Sequence, residues 1–182
     1  MNLVITNEEL VARCLKGDRR AQFEVYHAYS KAMFNICSRM MGKREDAEDV
    51  LQNAFVDVFT KMHTYRNEAT LGAWIKRIVI NCCINELKRK KMQLVEADGK
   101  IEDLQFEDYE ENFDQEDMPR IKNAIKLLPE GYRVVFTLYL LEGYDHGEIS
   151  EILGITEGAS KSQYSRARQK LYQILTQKSK TG

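Results

Sequence analysis

Apolar residues recur at steps of three and four along most of this chain, and runs of strict alternation are nearly absent. That spacing predicts amphipathic helices and not strands, so the expected fold class is all-α. The cleanest stripe is Ala47, Val50, Leu51, Ala54, Phe55, Val58, Phe59 and Met62. Before it, Asn7 is placed to cap a first helix that ends near Gly17. Asp18 is placed to cap a second helix with Phe23, Tyr26, Met33, Phe34, Cys37 and Met40 inside and Gly42 at its close. After the stripe, 63–69 reads as a loop. Thr70 then caps a long helix whose inner face is Leu71, Trp74, Ile75, Ile78, Val79 and Cys82.

The periodicity fails over 93–118. Ile101, Leu104, Phe106, Tyr109 and Phe113 are the apolar residues there that a short helix or a docking contact could use. A segment so poor in apolar positions cannot offset its ordering entropy, and it reads as a flexible linker. The expected layout is therefore a helical domain over 1–92, a linker over 93–118 and a smaller helical domain over 119–182. The second domain opens with Pro119 at a first helical position and Ile121, Ala124, Ile125 and Leu128 inside. Pro129 interrupts. One helix is expected over 130–142, with Val134, Val135, Leu138 and Leu141 toward the core, and Gly143 ends it. Asp145 caps a short helix holding Ile149, Ile152 and Leu153. Gly154 turns the chain, Ile155 plugs the core, and Thr156 caps a last helix that runs to about Thr176. Its inner face is read as Ala159, Ala167, Leu171 and Ile174.

Charge changes the picture. The chain of 182 residues has a formal net charge of -1, which alone argues against a nucleic-acid partner. The charge is segregated, however. Residues 1–92 carry 16 basic and 11 acidic side chains, 93–118 carry one and 11, and 119–182 carry 10 and 6. Two basic lobes, at +5 and +4, flank a strip at -10. The four cysteines show no CxxC spacing and are read as reduced core thiols, and the three scattered histidines suggest no metal site. No secretory signal opens the chain and no apolar run nears the ~20 residues of a membrane span, so the expected location is cytoplasmic. There is no nucleophile–base set, glycine-rich phosphate loop or ligand spacing. The expectation is a protein that is not an enzyme, takes no cofactor and has no small-molecule substrate.

Three constellations remain. A short helix, a glycine turn, a buried aliphatic and a capped second helix make helix-turn-helix spacing over 145–175. The second helix presents Lys161, Ser162, Gln163, Tyr164, Ser165, Arg166 and Arg168, donor-rich side chains suited to base edges and phosphates in a major groove. On the helix over 71–91, Arg77, Asn81, Asn85 and Lys88 fall within about 80° of arc, followed by Arg89. With Arg66 and Asn67 in the loop before it, and Trp74 on it, this face suits unpaired bases and phosphates. It is equally the composition of a solvated face with a core Trp74. The third is the acidic turn with Asp46 and Asp49 followed by Gln52 and Phe55. It serves as ordinary N-terminal capping or as a docking face for a partner helix.

Together these motifs resemble the extracytoplasmic-function RNA polymerase sigma factors. Asp46-Ala47-Glu48-Asp49-Val50-Leu51-Gln52-Asn53-Ala54-Phe55 resembles region 2.2, and Leu71 through Asn81 resembles regions 2.3–2.4. Leu128 through Phe136, Glu142 through Ile149 and Ser160 through Arg168 resemble region 4, in wording similar to members from Bacteroidetes-type bacteria. The resemblance covers nearly all of the chain except the linker. It implies a core RNA polymerase partner, gripped at the β′ clamp helices by Asp46, Asp49, Gln52 and Phe55 and at the β-flap by the second domain. It implies a melted -10 element held by Arg66, Asn67, Trp74, Arg77, Asn81, Asn85, Lys88 and Arg89. It implies a duplex -35 element faced by Lys161, Ser162, Ser165 and Arg166, with Gln163 and Arg168 on the same helix. A membrane anti-sigma factor is implied as a further partner. Asn85 stands where many members carry Asp, Ala159 stands where Thr is common, and Ser165 is small for a base contact. The acidic strip is unusual, and is expected to compete with DNA for the basic lobes in the free protein. A stand-alone helix-turn-helix regulator is the rival reading, which leaves 1–92 without a role. A helical adaptor is another, under which Lys161 and Arg166 would not matter to transcription.

Overall fold

The computed structural model describes residues 7–90 and 118–177. They form two compact units, one within 1–91 and one within 92–182. All the regular structure described is helical, as the periodicity predicts. The predicted linker lies outside the described residues except for Met118, which opens a helix.

The first unit comprises α1 (Asn7–Leu15), α2 (Arg19–Met41), α3 (Arg44–Lys61), a 3₁₀ turn (Met62–Thr64) and α4 (Leu71–Arg89). Helices α2, α3 and α4 pack pairwise, with α1 laid on α2 and on the 3₁₀ turn. The cap of α2 is Asp18, whose Oδ1 accepts from the backbone N of Arg20 (2.9 Å) and Ala21 (3.3 Å). Arg13 Nε donates to its Oδ2 at 2.9 Å, and that bond holds the Asp18 carboxyl below the usual carboxylate range. Gly42 ends α2 at φ 76°, in the left-handed region that favours glycine. Asn7 begins α1 itself instead of standing one residue before it.

The core departs from the periodic reading in two places. On α2 the buried set is Ala21, Val25, Met33, Ile36, Cys37, Met40 and Met41, while Phe23 is 67% exposed and Tyr26 38%. The aromatic residues suggested an inward face about one position away from the true one. On α4, Trp74, Ile78 and Cys82 are half-buried, and Ile80, Cys83, Ile84 and Leu87 join Leu71, Ile75 and Val79 inside. Contact with α2 on one side and α3 on the other covers a wider arc than one stripe.

The second unit comprises α5 (Met118–Lys126), α6 (Glu130–Phe136), a π turn (Thr137–Leu141), α7 (His146–Leu153) and α8 (Glu157–Gln177). Helix α8 packs on α5, α6 and α7. Its core gathers Ile125, Leu128, Phe136 and Ala167, with Ile121, Tyr132, Tyr164, Leu171 and Ile174 against them. The single helix expected over 130–142 is instead α6 followed by the π turn, where Glu142 N donates to Thr137 O at 3.0 Å. The wider turn rotates the residues at its end, so Leu141 is 41% exposed and not in the core. Ile155 and Ala159 are half-buried. The other caps stand as expected. Asp145 and Glu148 form a reciprocal capping box on α7, Gly154 takes φ 69°, and Thr156 Oγ1 accepts from Ala159 N at 3.1 Å.

Candidate nucleic-acid interfaces

On α4, sequence spacing and packing produce one polar face. Thr70 Oγ1 accepts from Ala73 N at 3.2 Å and starts the helix. The apolar arc seats it on α2 and α3, which leaves Arg77, Asn81, Asn85 and Lys88 together and exposed. Among the described residues no carboxylate pairs with Arg77 or Lys88. Arg89 differs, because its Nε and Nη2 donate to Glu86 at 2.8 and 2.7 Å, which depresses the Glu86 carboxyl. Lys90 Nζ lies 2.6 Å from Asp46 Oδ1 and 3.7 Å from Glu86 Oε1. Among the described residues the stripe thus offers two cations without a carboxylate partner and two amides, before Arg89 and Lys90 pair with acids.

The loop at the start of α4 is tied down. Tyr65 Oη donates to Ala69 O at 2.8 Å, and its ring lies 5.4 Å from that of the half-buried Trp74. Asn67 takes φ 57°, a left-handed conformation that asparagine tolerates better than most residues, and its Nδ2 donates to Glu8 Oε1 at 3.1 Å. Arg66 beside it is exposed. Between α3 and α4 lies a shallow cleft of about 200 Å³ lined by Val50, Asn53, Cys82, Asn85, Glu86 and Arg89. The Cys82 thiol is pushed up to about 11, first by burial and then by Asp57, so it stays protonated and unreactive at neutral pH.

The face proposed for a partner helix is only partly assembled. Asp49 and Gln52 are exposed on α3. Asp46 is half-buried and held by Lys90. Phe55 is corrected: it is 3% exposed, with its ring 4.8 Å from Tyr26 and 6.1 Å from Phe59, so it supports the face from within. The exposed apolar groups nearby are Phe23 and Tyr26 on α2 and Val56 on α3, at 67%, 38% and 65%. Periodicity concealed Phe23 and Tyr26 because it assigned them to the core. Large apolar side chains left in water beside polar ones are the composition of a docking surface.

On α8, Lys161 is exposed, with Nζ 2.6 Å from Glu157 Oε1. Ser162, Ser165, Arg166 and Arg168 are half-buried. Gln163 is corrected: it is 1% exposed, and neither amide atom has a hydrogen-bond partner among the described residues. Its neighbours Ser160 and Ala167 are fully buried. The true inner face runs through 160, 163, 164, 167, 171 and 174, a set whose polar members hid it from a search for apolar residues. Tyr164 belongs to that face, with its ring 6.0 Å from Phe136 and 4.5 Å from Tyr139. His146, at the start of α7, was missed as well. Its ring stacks on Tyr139 at 4.3 Å and 12°, and its Nδ1 lies 2.9 Å from Ser160 Oγ. Burial, helped by Lys161, lowers its pKa.

Among the described residues no group of three or more His, Cys, Asp or Glu is placed to hold a metal ion. No described helix is long and apolar enough to cross a membrane. The four cysteines are free, with Cys14, Cys37 and Cys83 buried. What the two units offer is two donor-rich helical faces, each on a packed apolar support.

Comparison with known proteins agrees with that division. Residues 25–92 match the family model for sigma-70 region 2, and 119–171 match that for sigma-70, region 4. The chain is 30% identical over 154 residues to RNA polymerase sigma factor SigZ of Bacillus subtilis, covering 84% of this chain and 85% of that one. It is 27% identical over 170 residues to the ECF RNA polymerase sigma factor SigM of Mycobacterium tuberculosis, covering 93% and 85%. Among solved structures, it resembles the sigma factor RpoE from Bartonella quintana, in complex with the anti-sigma factor NepR. The TM-score is 0.54 at 22% identity, over 84% of this chain and 95% of that one. CnrH, in complex with the cytosolic domain of CnrY, gives 0.50 at 22% identity, over 92% and 95%.

Proposed function

This chain belongs to the extracytoplasmic-function RNA polymerase sigma factors, and from that membership we propose how its two units share the work. The protein binds core RNA polymerase and directs promoter-specific initiation. The observation that carries the division is the exposed stripe of Arg77, Asn81, Asn85 and Lys88 on one unit and the helix-turn-helix on the other. The stripe, with Arg66, Asn67 and Trp74, holds the opened -10 strand. Amides meet unpaired base edges and the cations meet phosphates. Helix α8, through Lys161, Ser162, Ser165 and Arg166, with Arg168 beside them, lies in the major groove of the duplex -35 element.

The polymerase face is assigned by the same reasoning. Asp49 and Gln52 on α3, with the exposed Phe23, Tyr26 and Val56, meet the β′ clamp helices, and the second unit meets the β-flap. Asp46 reaches this face through its pair with Lys90. An anti-sigma factor is the natural regulator, since the sigma factor RpoE from Bartonella quintana is found in complex with one. We place that regulator at the membrane and the sigma factor in the cytoplasm. The wording of the second half of the chain supports an origin in a Bacteroidetes-type bacterium. We assign the chain no catalytic step, because initiation asks it to hold DNA and leaves the chemistry to the polymerase.

Transcription in vitro with core polymerase on a promoter library, followed by mapping of start sites, tests this reading. Start sites that share a -10 and a -35 element and vanish without the chain are expected. Start sites no different from those of core polymerase alone would overturn it.

A further inference from the structure

The second unit holds a side-chain cluster that DNA contact does not explain. It lies where three elements meet: the π turn, the first residue of α7, and α8. Tyr139, carried by the π turn, stacks on His146 at 4.3 Å with the rings 12° apart. Tyr164 of α8 meets Tyr139 at 4.5 Å and turns its ring edge-on to His146 at 5.9 Å. On the far side, His146 Nδ1 hydrogen-bonds Ser160 Oγ of α8 at 2.9 Å, and Ser160 is fully buried. One imidazole therefore engages α8 at two residues one turn apart.

We propose that His146 is a positioning residue that sets the roll of α8 on its support, and thereby which bases the outer face of α8 reads. The proposal rests on the reading of α8 as the duplex-reading helix. Ser160 and Tyr164 lie about 40° apart around the helix, while Lys161, Ser162, Ser165 and Arg166 occupy the arc from about 100° to 240°. A helix held at one flank swings its other flank if the hold loosens. At the ~5–6 Å radius of a helix with side chains, a roll of about 10° moves a side-chain tip by about 1 Å. Base reading tolerates about 0.5 Å and 10–20°. Around Ser160 and Tyr164 the other supports of α8 are short on directional contacts, although further along the helix Arg120 Nη2 donates to Leu175 O. Ala167 has no polar group, and the Gln163 amide finds no partner among the described residues. Apolar packing sets the helix angle through the fit of its side chains, and a hydrogen bond with a stacked ring holds it more sharply. Asp145 strengthens the arrangement by capping α7, which pins the backbone that carries His146.

The test uses the full chain on core polymerase and two duplexes. One is selected by the wild-type holoenzyme from a random-sequence pool, and the other is the same duplex with its upstream element scrambled. The readout is the ratio of the two affinities. Ser160→Ala removes one oxygen, His146→Phe keeps the stack and loses the bond, and His146→Asn keeps a polar group at the Nδ1 position and loses the stack. Ser160→Ala and His146→Phe should each lower the ratio about tenfold, the scale of one good base contact, with affinity for the scrambled duplex unchanged. His146→Asn should fall between them and wild type. The double variant should be no worse than His146→Phe alone, because both changes break one link. A ratio within twofold of wild type in Ser160→Ala overturns the inference, even if His146→Phe fails to fold. So does an equal fall in both affinities, which marks a merely structural role. A wild-type ratio near one overturns the reading of α8 itself, and the inference with it.

Discussion

The two units solve the same problem with opposite materials. The side of α4 proposed to face DNA stands on an apolar floor of Leu71, Ile75, Val79, Cys83 and Leu87. Every polar group of its stripe, from Arg77 to Lys88, points outward. Helix α8 turns polar groups both ways. Ser160 and Gln163 are buried under it, Arg133 is buried in α6 and Thr137 at the start of the π turn, and its outer face carries Lys161 and Arg166. An apolar floor sets the depth of a helix and, through the fit of its side chains, its angle. Polar groups inside sharpen that angle when they find partners, as Ser160 does, and destabilise the fold when they do not, as with Gln163. The first unit is thus built for firmness and the second for orientation.

The largest effect that would break this contrast lies in the first floor. Ile75 is fully buried, and Ile75→Ala should destabilise the first unit by about 2–5 kcal/mol, seen as an early thermal transition and a loss of polymerase binding. A cost below about 1 kcal/mol would mean that the floor is loosely packed and the contrast false. Next comes Gln163→Leu. A buried amide without partners costs the fold about 1–3 kcal/mol, so an apolar side chain of similar size should stabilise the second unit by up to that amount while -35 discrimination stays within twofold. Lost discrimination in a well-folded variant would show instead that Gln163 leaves the core to meet DNA. The smallest effect sharpens the contrast through pH. Burial lowers the His146 pKa from its ordinary 6.5, with Lys161 helping and Asp145 and Glu157 opposing. Below 6.5 the unfolded chain binds a proton that the folded unit resists, so stability is lost as pH falls from there toward the folded value and is flat above it. Thermal melting from pH 8 to 5 should show this slope in wild type and a shallower one in His146→Phe; equal slopes would assign the effect elsewhere.

How much the sequence disclosed divides along the same line. Helix α3 was legible because its buried positions are all apolar and at helical steps. The caps at Asp18, Thr70, Asp145 and Thr156 were legible because their chemistry is local. The α4 stripe was legible because its polar face is the complement of an apolar one. Gln163 was not, since a polar residue on an inner face looks from sequence like one on an outer face. Phe23 failed for the converse reason, being apolar and exposed. The π turn left no local mark, because its extra residue matters only through the side chains it rotates. Phe55 and Asp46 were found on the right helix, but their contacts with Tyr26 and Lys90 come from other helices. Such long-range contacts leave no spacing to read.

The bond from Asn67 to Glu8 joins residues 59 positions apart. It moors the loop that leads into the proposed DNA stripe to the outer surface of the first helix. Among the described residues no hydrogen bond or ion pair joins Glu8 to the stripe, yet a survey of substitutions scored only by promoter output would rank it beside the proposed DNA contacts. The reach of the site for mutation is therefore wider than its footprint on the nucleic acid. The loop also carries a conformational demand at Asn67 that glycine or aspartate could meet but a branched side chain could not.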